Sequence, residues 1–193
     1  MLDKINAIIA GIKKVLYLNE IPKKYIEGME LLNKNSGVTS LVFKKNDNEV
    51  RIFTRDSMKY EWLINGLKIA DFVDMIESNK HPKYSSFPIY IIDMPFLYPL
   101  STENKKKINK ALKECKDLFD HYGARRREDL INILMEYFED KNQILYDVFY
   151  FLSDYGETYQ FDLSLRNFRQ DKNGNIILLD PVVNNELITS LRK

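Results

Sequence analysis

The sequence predicts an α+β protein, with an antiparallel sheet first, a small set of helices next and a β-hairpin near the end. Three observations carry this. Two β-rich runs, 35–43 and 50–54, flank the polar turn Lys44–Glu49, the pattern of a hairpin. Apolar residues from Thr102 onward recur at helical spacing, as in Leu130, Ile133, Leu134, Tyr137 and again in Leu145, Val148, Phe149, Leu152. Finally, Asn173-Gly174 precedes the unbroken apolar run Ile176–Leu179, which reads as a tight turn into a strand buried on both faces.

Taken in order, Ile5, Ile8, Ile9, Ile12, Val15 and Leu16 predict an amphipathic helix over 3–17. Pro22 should open a second helix with the stripe Tyr25, Ile26, Met29, Leu32. After the first hairpin, Asp56 or Ser57 can cap a helix over 57–66 with Tyr60, Leu63, Ile64 and Leu67 on its apolar side. Residues 69–76 fit either a strand or a helical turn. A buried strand is expected over 89–92, running into a segment stiffened by Pro95 and Pro99. Helices should then follow at 102–121, 125–139 and 141–153, with Gly156 closing the last.

Composition narrows the function classes. The 193 residues have a net charge of +1, which exerts no general pull on nucleic acid or on a membrane surface. Runs such as Lys105–Lys107 and Arg125–Arg127 read as solvated helix faces. The single cysteine, Cys115, forbids an internal disulfide and fits a reducing, cytoplasmic compartment. Two histidines and one cysteine make a zinc site a poor fit. No signal peptide or long apolar span is apparent, so no membrane partner is expected.

The stretch from Phe161 to Val182 holds the chemistry. Asp162 and Asn167 stand in the spacing Asp-x4-Asn before the hairpin, and Asp180 follows its last apolar residue. A hairpin brings its ends together, so two carboxylates and an amide should meet. Such oxygen donors suit Mg²⁺, and one carboxylate can be left free to orient a hydroxyl. A surface hairpin with ordinary polar flanks is the alternative reading.

This arrangement resembles the catalytic loop and metal-binding motif of protein kinases, with Asp180-Pro181-Val182 in place of Asp-Phe-Gly. It looks most like the small serine/threonine protein kinases that tailed bacteriophages make early in infection. The resemblance implies a minimal protein kinase-like fold in two lobes. An N-terminal helical extension would occupy 1–34, an antiparallel sheet lobe and hinge 35–100, and a small helical lobe carrying the catalytic loop 101–193. Only eleven residues follow Val182, so the distal part of the helical lobe is expected to be truncated.

The resemblance also implies site residues. Asp162, Asn167 and Asp180 would be catalytic, acting with ATP and Mg²⁺, with Asn167 and Asp180 as the metal ligands. Gly37 and Ser40 would belong to a phosphate-covering loop, and Met94 would flank an adenine pocket whose hinge backbone reads the base. The lysine that kinases place on the third strand is missing. Arg51 is the nearest cation, and Glu61, ten residues on, is the expected ion-pair partner. Ser164 and Arg166 stand where the phage relatives usually show His and Gly. Partners would be ATP and a host or viral protein, in the host cytoplasm if the chain is viral. Two alternatives stay open. One is a pseudokinase that keeps the shape as a protein-binding module. The other is a small-molecule phosphotransferase of the aminoglycoside type, whose larger helical domain this chain lacks the length to build.

Overall fold

The computed structural model describes residues 18–32, 39–77, 87–122, 127–153, 159–184 and 187. The predicted helix at 3–17, Gly37 and Gly156 lie outside them. Five antiparallel strands form the main sheet: β1 (Glu30–Leu31), β2 (Ser40–Lys44), β3 (Glu49–Thr54), β4 (Asp71–Ile76) and β5 (Ile89–Pro95), in the order β1-β2-β3-β5-β4. Residues 69–76, ambiguous from their periodicity, supply the edge strand β4. The helix expected from Pro22 is not formed. A 3₁₀ turn, Lys23–Tyr25, gives way at Gly28, whose φ of 74° breaks any helix, and the chain then enters β1.

Alternation along the strands sorts the two faces of the sheet. Leu41, Phe43, Phe53, Ile89 and Ile91 share an outer cluster with Ile21, against which Leu18, Tyr25 and Ile26 pack. Val50, Ile52, Ile92 and Met94 face the other way, onto Leu63, with Leu179 packed beside them.

Helix α1 (Ser57–Glu61) continues into a π-helical turn, Trp62–Gly66. It is capped by Asp56, whose carboxylate accepts from the N–H groups of Met58 and Lys59. This helix joins the sheet to the rest of the core. Leu63 packs on the sheet, whereas Met58 and Trp62 belong to the helical cluster. The wide turn lets the Trp62 ring lie over Gly66, where an added Cβ would meet it at 2.4 Å. Trp62 Nε1 donates to the carbonyl of Leu178 at 2.7 Å.

Three helices follow, α2 (Thr102–Tyr122), α3 (Arg127–Phe138) and α4 (Gln143–Ser153), close to the expected bounds. Their buried faces, including Ile108, Leu134, Phe138, Val148 and Phe149, make the largest apolar cluster. Among the described residues, no helix is long and apolar enough to cross a membrane.

Two nested ladders close the described chain. β6 (Tyr159–Phe161) pairs with β9 (Val182–Asn184), and inside them β7 (Phe168–Gln170) pairs with β8 (Ile176–Leu178). The inner hairpin turns at Gly174, with φ of 85°, where the Asp171 carboxylate accepts from the N–H groups of Asn173 and Asn175.

Candidate functional site

Nesting decides where the polar residues go. Pairing Phe161 with Val182 sets Asp162 beside Pro181, and the Asp162 N–H donates to the Pro181 carbonyl at 2.8 Å. Pairing Phe168 with Leu178 sets Asn167 beside Leu179, whose N–H donates to the Asn167 carbonyl at 2.9 Å. The Asn167 side chain then ties both halves, its amide donating to the main-chain carbonyls of Asp162 at 2.7 Å and Asp180 at 2.9 Å. Two carbonyl acceptors fix the NH₂ end of this amide, so Oδ1 is the atom it has left to offer as an acceptor. Asp162, Asn167 and Asp180 are thus brought together.

Each carboxylate in the group carries a cation. Asp162 accepts from Ser164 Oγ at 2.9 Å and from Arg166 Nη2 at 2.9 Å. Burial alone would raise its pKa, but these hydrogen bonds, led by that from Arg166, outweigh burial and hold the carboxyl below the usual range. Asp162 is therefore ionised at neutral pH. Asp180 takes Lys59 Nζ at 3.1 Å, and the Lys59 side chain is only 12% exposed. Asp56, buried at the start of the same helix, is pushed up to about 6, first by desolvation and then by the charge of Asp180.

Lys59 was not among the residues singled out from the sequence, yet a signal was there. At about 100° per residue, Lys59 falls between Trp62 and Leu63 on the helical wheel, inside the arc that Met58, Trp62 and Leu63 bury. The expected apolar side, Tyr60 to Leu67, omits Met58 and Trp62 and hides this.

Arg51 does not take the place expected of it. Its guanidinium makes a paired contact with Asp93, 2.7 Å at each nitrogen, and a third bond to the Tyr25 carbonyl at 3.2 Å. Val50 and Ile52 point to the face carrying Leu63 and Leu179, so strand alternation sends Arg51 to the opposite face. Directly across from it in register stands Asp93, which also binds Lys45 at 2.9 Å. Glu61 meets neither group; it accepts from the Asn65 amide one turn on.

The other expected positions also differ. Ser40 is a buried strand residue whose hydroxyl donates to Thr54 Oγ1 at 2.9 Å across the β2–β3 pair, so this side chain is committed to the sheet. Met94 is 4% exposed and packs in the inner cluster, so it underlies the site through Leu179 instead of flanking an open pocket. In the segment after β5, the Phe96 N–H donates to the Asn48 carbonyl at 2.7 Å. Tyr98 exchanges main-chain bonds with Gln170 at 2.8 and 2.9 Å. These groups are engaged within the protein, and Leu97 lies between them with its backbone in none of these bonds.

The donor set fits a hard cation in one respect and limits it in another. Among the described residues, no three His, Cys, Asp or Glu side chains gather as a metal cage. The Asp180 carboxylate and Asn167 Oδ1 are hard oxygen donors, sufficient for Mg²⁺ that keeps waters and binds substrate phosphates. Cys115 is buried in the helical core and its thiol is pushed up to about 12, so it supplies no nucleophile here.

No protein-family model matches the chain, and no curated protein matches it. Among solved structures, that of the GDP and kanamycin complex of APH(2")-IIia is similar at 16% identity, covering 88% of this chain and 69% of that one, with a TM-score of 0.33. Likeness at that level carries no inference about the site.

Proposed function

We propose that this chain is an ATP- and Mg²⁺-dependent phosphotransferase with a divergent protein kinase-like site, of the kind made by tailed bacteriophages, acting on a serine or threonine hydroxyl of a host or viral protein. The observation that carries it is the Asn167 amide binding the carbonyls of both Asp162 and Asp180, with the Lys59 ammonium held on Asp180. In this reading Lys59, and not Arg51, is the cation for the nucleotide phosphates, delivered from α1 instead of from β3.

Asn167 Oδ1 and the Asp180 carboxylate would hold Mg²⁺, which when bound would supply positive charge to neutralise the phosphates. The Lys59 ammonium lies close enough to Asp180 to be shared with a phosphate oxygen. Asp162, kept ionised by its hydrogen bonds, orients the acceptor hydroxyl and takes its proton as the new oxygen–phosphorus bond forms and the bond from the γ-phosphorus to the bridging oxygen of ATP breaks, with ADP as the leaving group. Arg166, whose side chain is 76% exposed, must release Asp162 for that step and is placed to turn to the transferred phosphoryl group. Leu97 offers its backbone to the adenine edge.

One observation favours a second reading, that of a pseudokinase. Both oxygens of Asp162 are engaged, one by Ser164 and one by Arg166. The experiment that separates the two readings is incubation with γ-labelled ATP and Mg²⁺, alone and with cell lysate. Label transfer that Asp162→Asn abolishes supports the enzyme. Nucleotide binding without transfer supports the pseudokinase, and no binding at all overturns both.

A further inference from the structure

A cavity of about 570 Å³ lies between α2, the α3–α4 turn and the start of β8. It is separate from the site above: it touches β8 at Ile176, the turn end of the hairpin, whereas Asn167 and Asp180 lie at the open end. Its floor is apolar, formed by Ile108 and Ala111 of α2 with Ile144 and Ile176. Lys107, Lys110 and Lys141 also line it, against one carboxylate, Glu114.

The three ammonium groups are lightly committed. Lys107 forms an exposed pair with Glu103 at 2.8 Å, which solvent screens. Lys141 Nζ lies 3.4 Å above the Tyr137 ring, holding its charge at the cavity wall. Lys110 has no hydrogen-bond or ion-pair partner among the described residues. Three like charges around one hollow repel each other, and an anion entering it relieves that repulsion. The volume falls in the range of small-molecule sites, roughly 300–1,000 Å³.

We propose that this cavity binds a small amphiphilic organic anion, with its apolar body on Ile108, Ala111, Ile144 and Ile176 and its acidic group among Lys107, Lys110 and Lys141. This does not depend on the phosphotransferase reading. The test is a fluorescence titration of the full chain with 8-anilinonaphthalene-1-sulfonate, followed by competition with decanoate. Saturable binding at one dye per chain, displaced by decanoate, is expected. K110E/K141E should weaken it by about tenfold or more. The charge-matched K113E/K116E, on exposed α2 lysines outside the lining, should leave it unchanged. Far-UV circular dichroism verifies that the variants are folded. Dye binding that does not saturate, that survives K110E/K141E, that falls equally in both double variants, or that decanoate does not displace would overturn the proposal.

Discussion

Two ion pairs in this protein look alike on paper and differ in what they can do. Arg51–Asp93 and Lys59–Asp180 each join one basic and one acidic residue far apart in sequence, and each is largely covered. Arg51 and Asp93 face each other across adjacent strands of one rigid sheet, and Lys45 and the Tyr25 carbonyl complete the set. That cluster is satisfied within the protein and has no reason to open. Lys59 and Asp180 come from a helix and a loop, and only one contact joins them. An ammonium held by a single oxygen can be shared with a phosphate, whereas a guanidinium held by two oxygens and a carbonyl cannot. What separates the two pairs is spare bonding capacity, not charge.

The largest effect that would test this comparison comes from the tryptophan that holds the inner pair in place. Trp62→Ala should cost about 4 kcal/mol of stability, through the cavity it leaves and the Leu178 carbonyl it strands. Urea unfolding checks this. Gly66→Ala should act in the same direction by about 2 kcal/mol, since its methyl collides with the Trp62 ring. A wild-type midpoint in both variants would mean that Trp62 does not fasten α1 to β8.

Next comes Asp56, which sits behind the Lys59–Asp180 pair and has no counterpart behind Arg51–Asp93 among the described residues. Its folded pKa of about 6 lies above the ordinary 3.8, so the folded chain takes up this proton before the unfolded chain does. Between pH 4 and 6 the folded state binds more protons at this position. Its contribution to stability therefore falls as pH rises through that window and is flat above it. The loss is at most about 3 kcal/mol. Asp56→Asn keeps an N-cap and removes the charge, so it should gain on the wild type steadily from pH 4 to 6. A constant difference between the two proteins across that range would contradict the assignment.

The effect on ligand binding separates the pairs directly. Lys59→Ala should weaken Mg²⁺·ATP binding by about a hundredfold, the loss of a charged contact worth about 2–3 kcal/mol. Isothermal titration of wild type, Lys59→Ala and Arg51→Ala provides the measurement. Equal losses in both variants would erase the distinction drawn here.

Much of the fold was legible because it rests on strong periodicity. The helices from Thr102 on, the Val50–Thr54 hairpin strand and the Gly174 turn each follow from local pattern. The Asp162, Asn167 and Asp180 grouping was legible because a hairpin must bring its ends together. The Lys59–Asp180 pair was not, because it joins a helix to a loop far apart in sequence, and Arg51 was misplaced because the alternation of Val50, Arg51 and Ile52 turns it to the opposite face of the sheet. The stretch after Pro22 was misread because its stripe outweighed Gly28, which needs positive φ. The Ser40–Thr54 bond and the Tyr98–Gln170 exchange depend on register between distant segments, which no local pattern reveals.

The smallest effects belong to the outer pair. Arg51→Ala should leave nucleotide binding unchanged and cost about 2 kcal/mol, less than a fully buried pair because Lys45 still compensates Asp93. Arg51→Lys should cost less again, about 1 kcal/mol, since one ammonium replaces one of two parallel bonds and the contact to the Tyr25 carbonyl is lost. Removing both charges in Arg51→Met/Asp93→Leu should recover part of the Arg51→Ala loss, because no buried carboxylate is then left with Lys45 as its only partner. If instead Arg51→Ala lowers ATP affinity while Arg51→Lys preserves it, the guanidinium must reach the nucleotide from the far face of the sheet. The positions of Val50 and Ile52 forbid that without a shift in strand register.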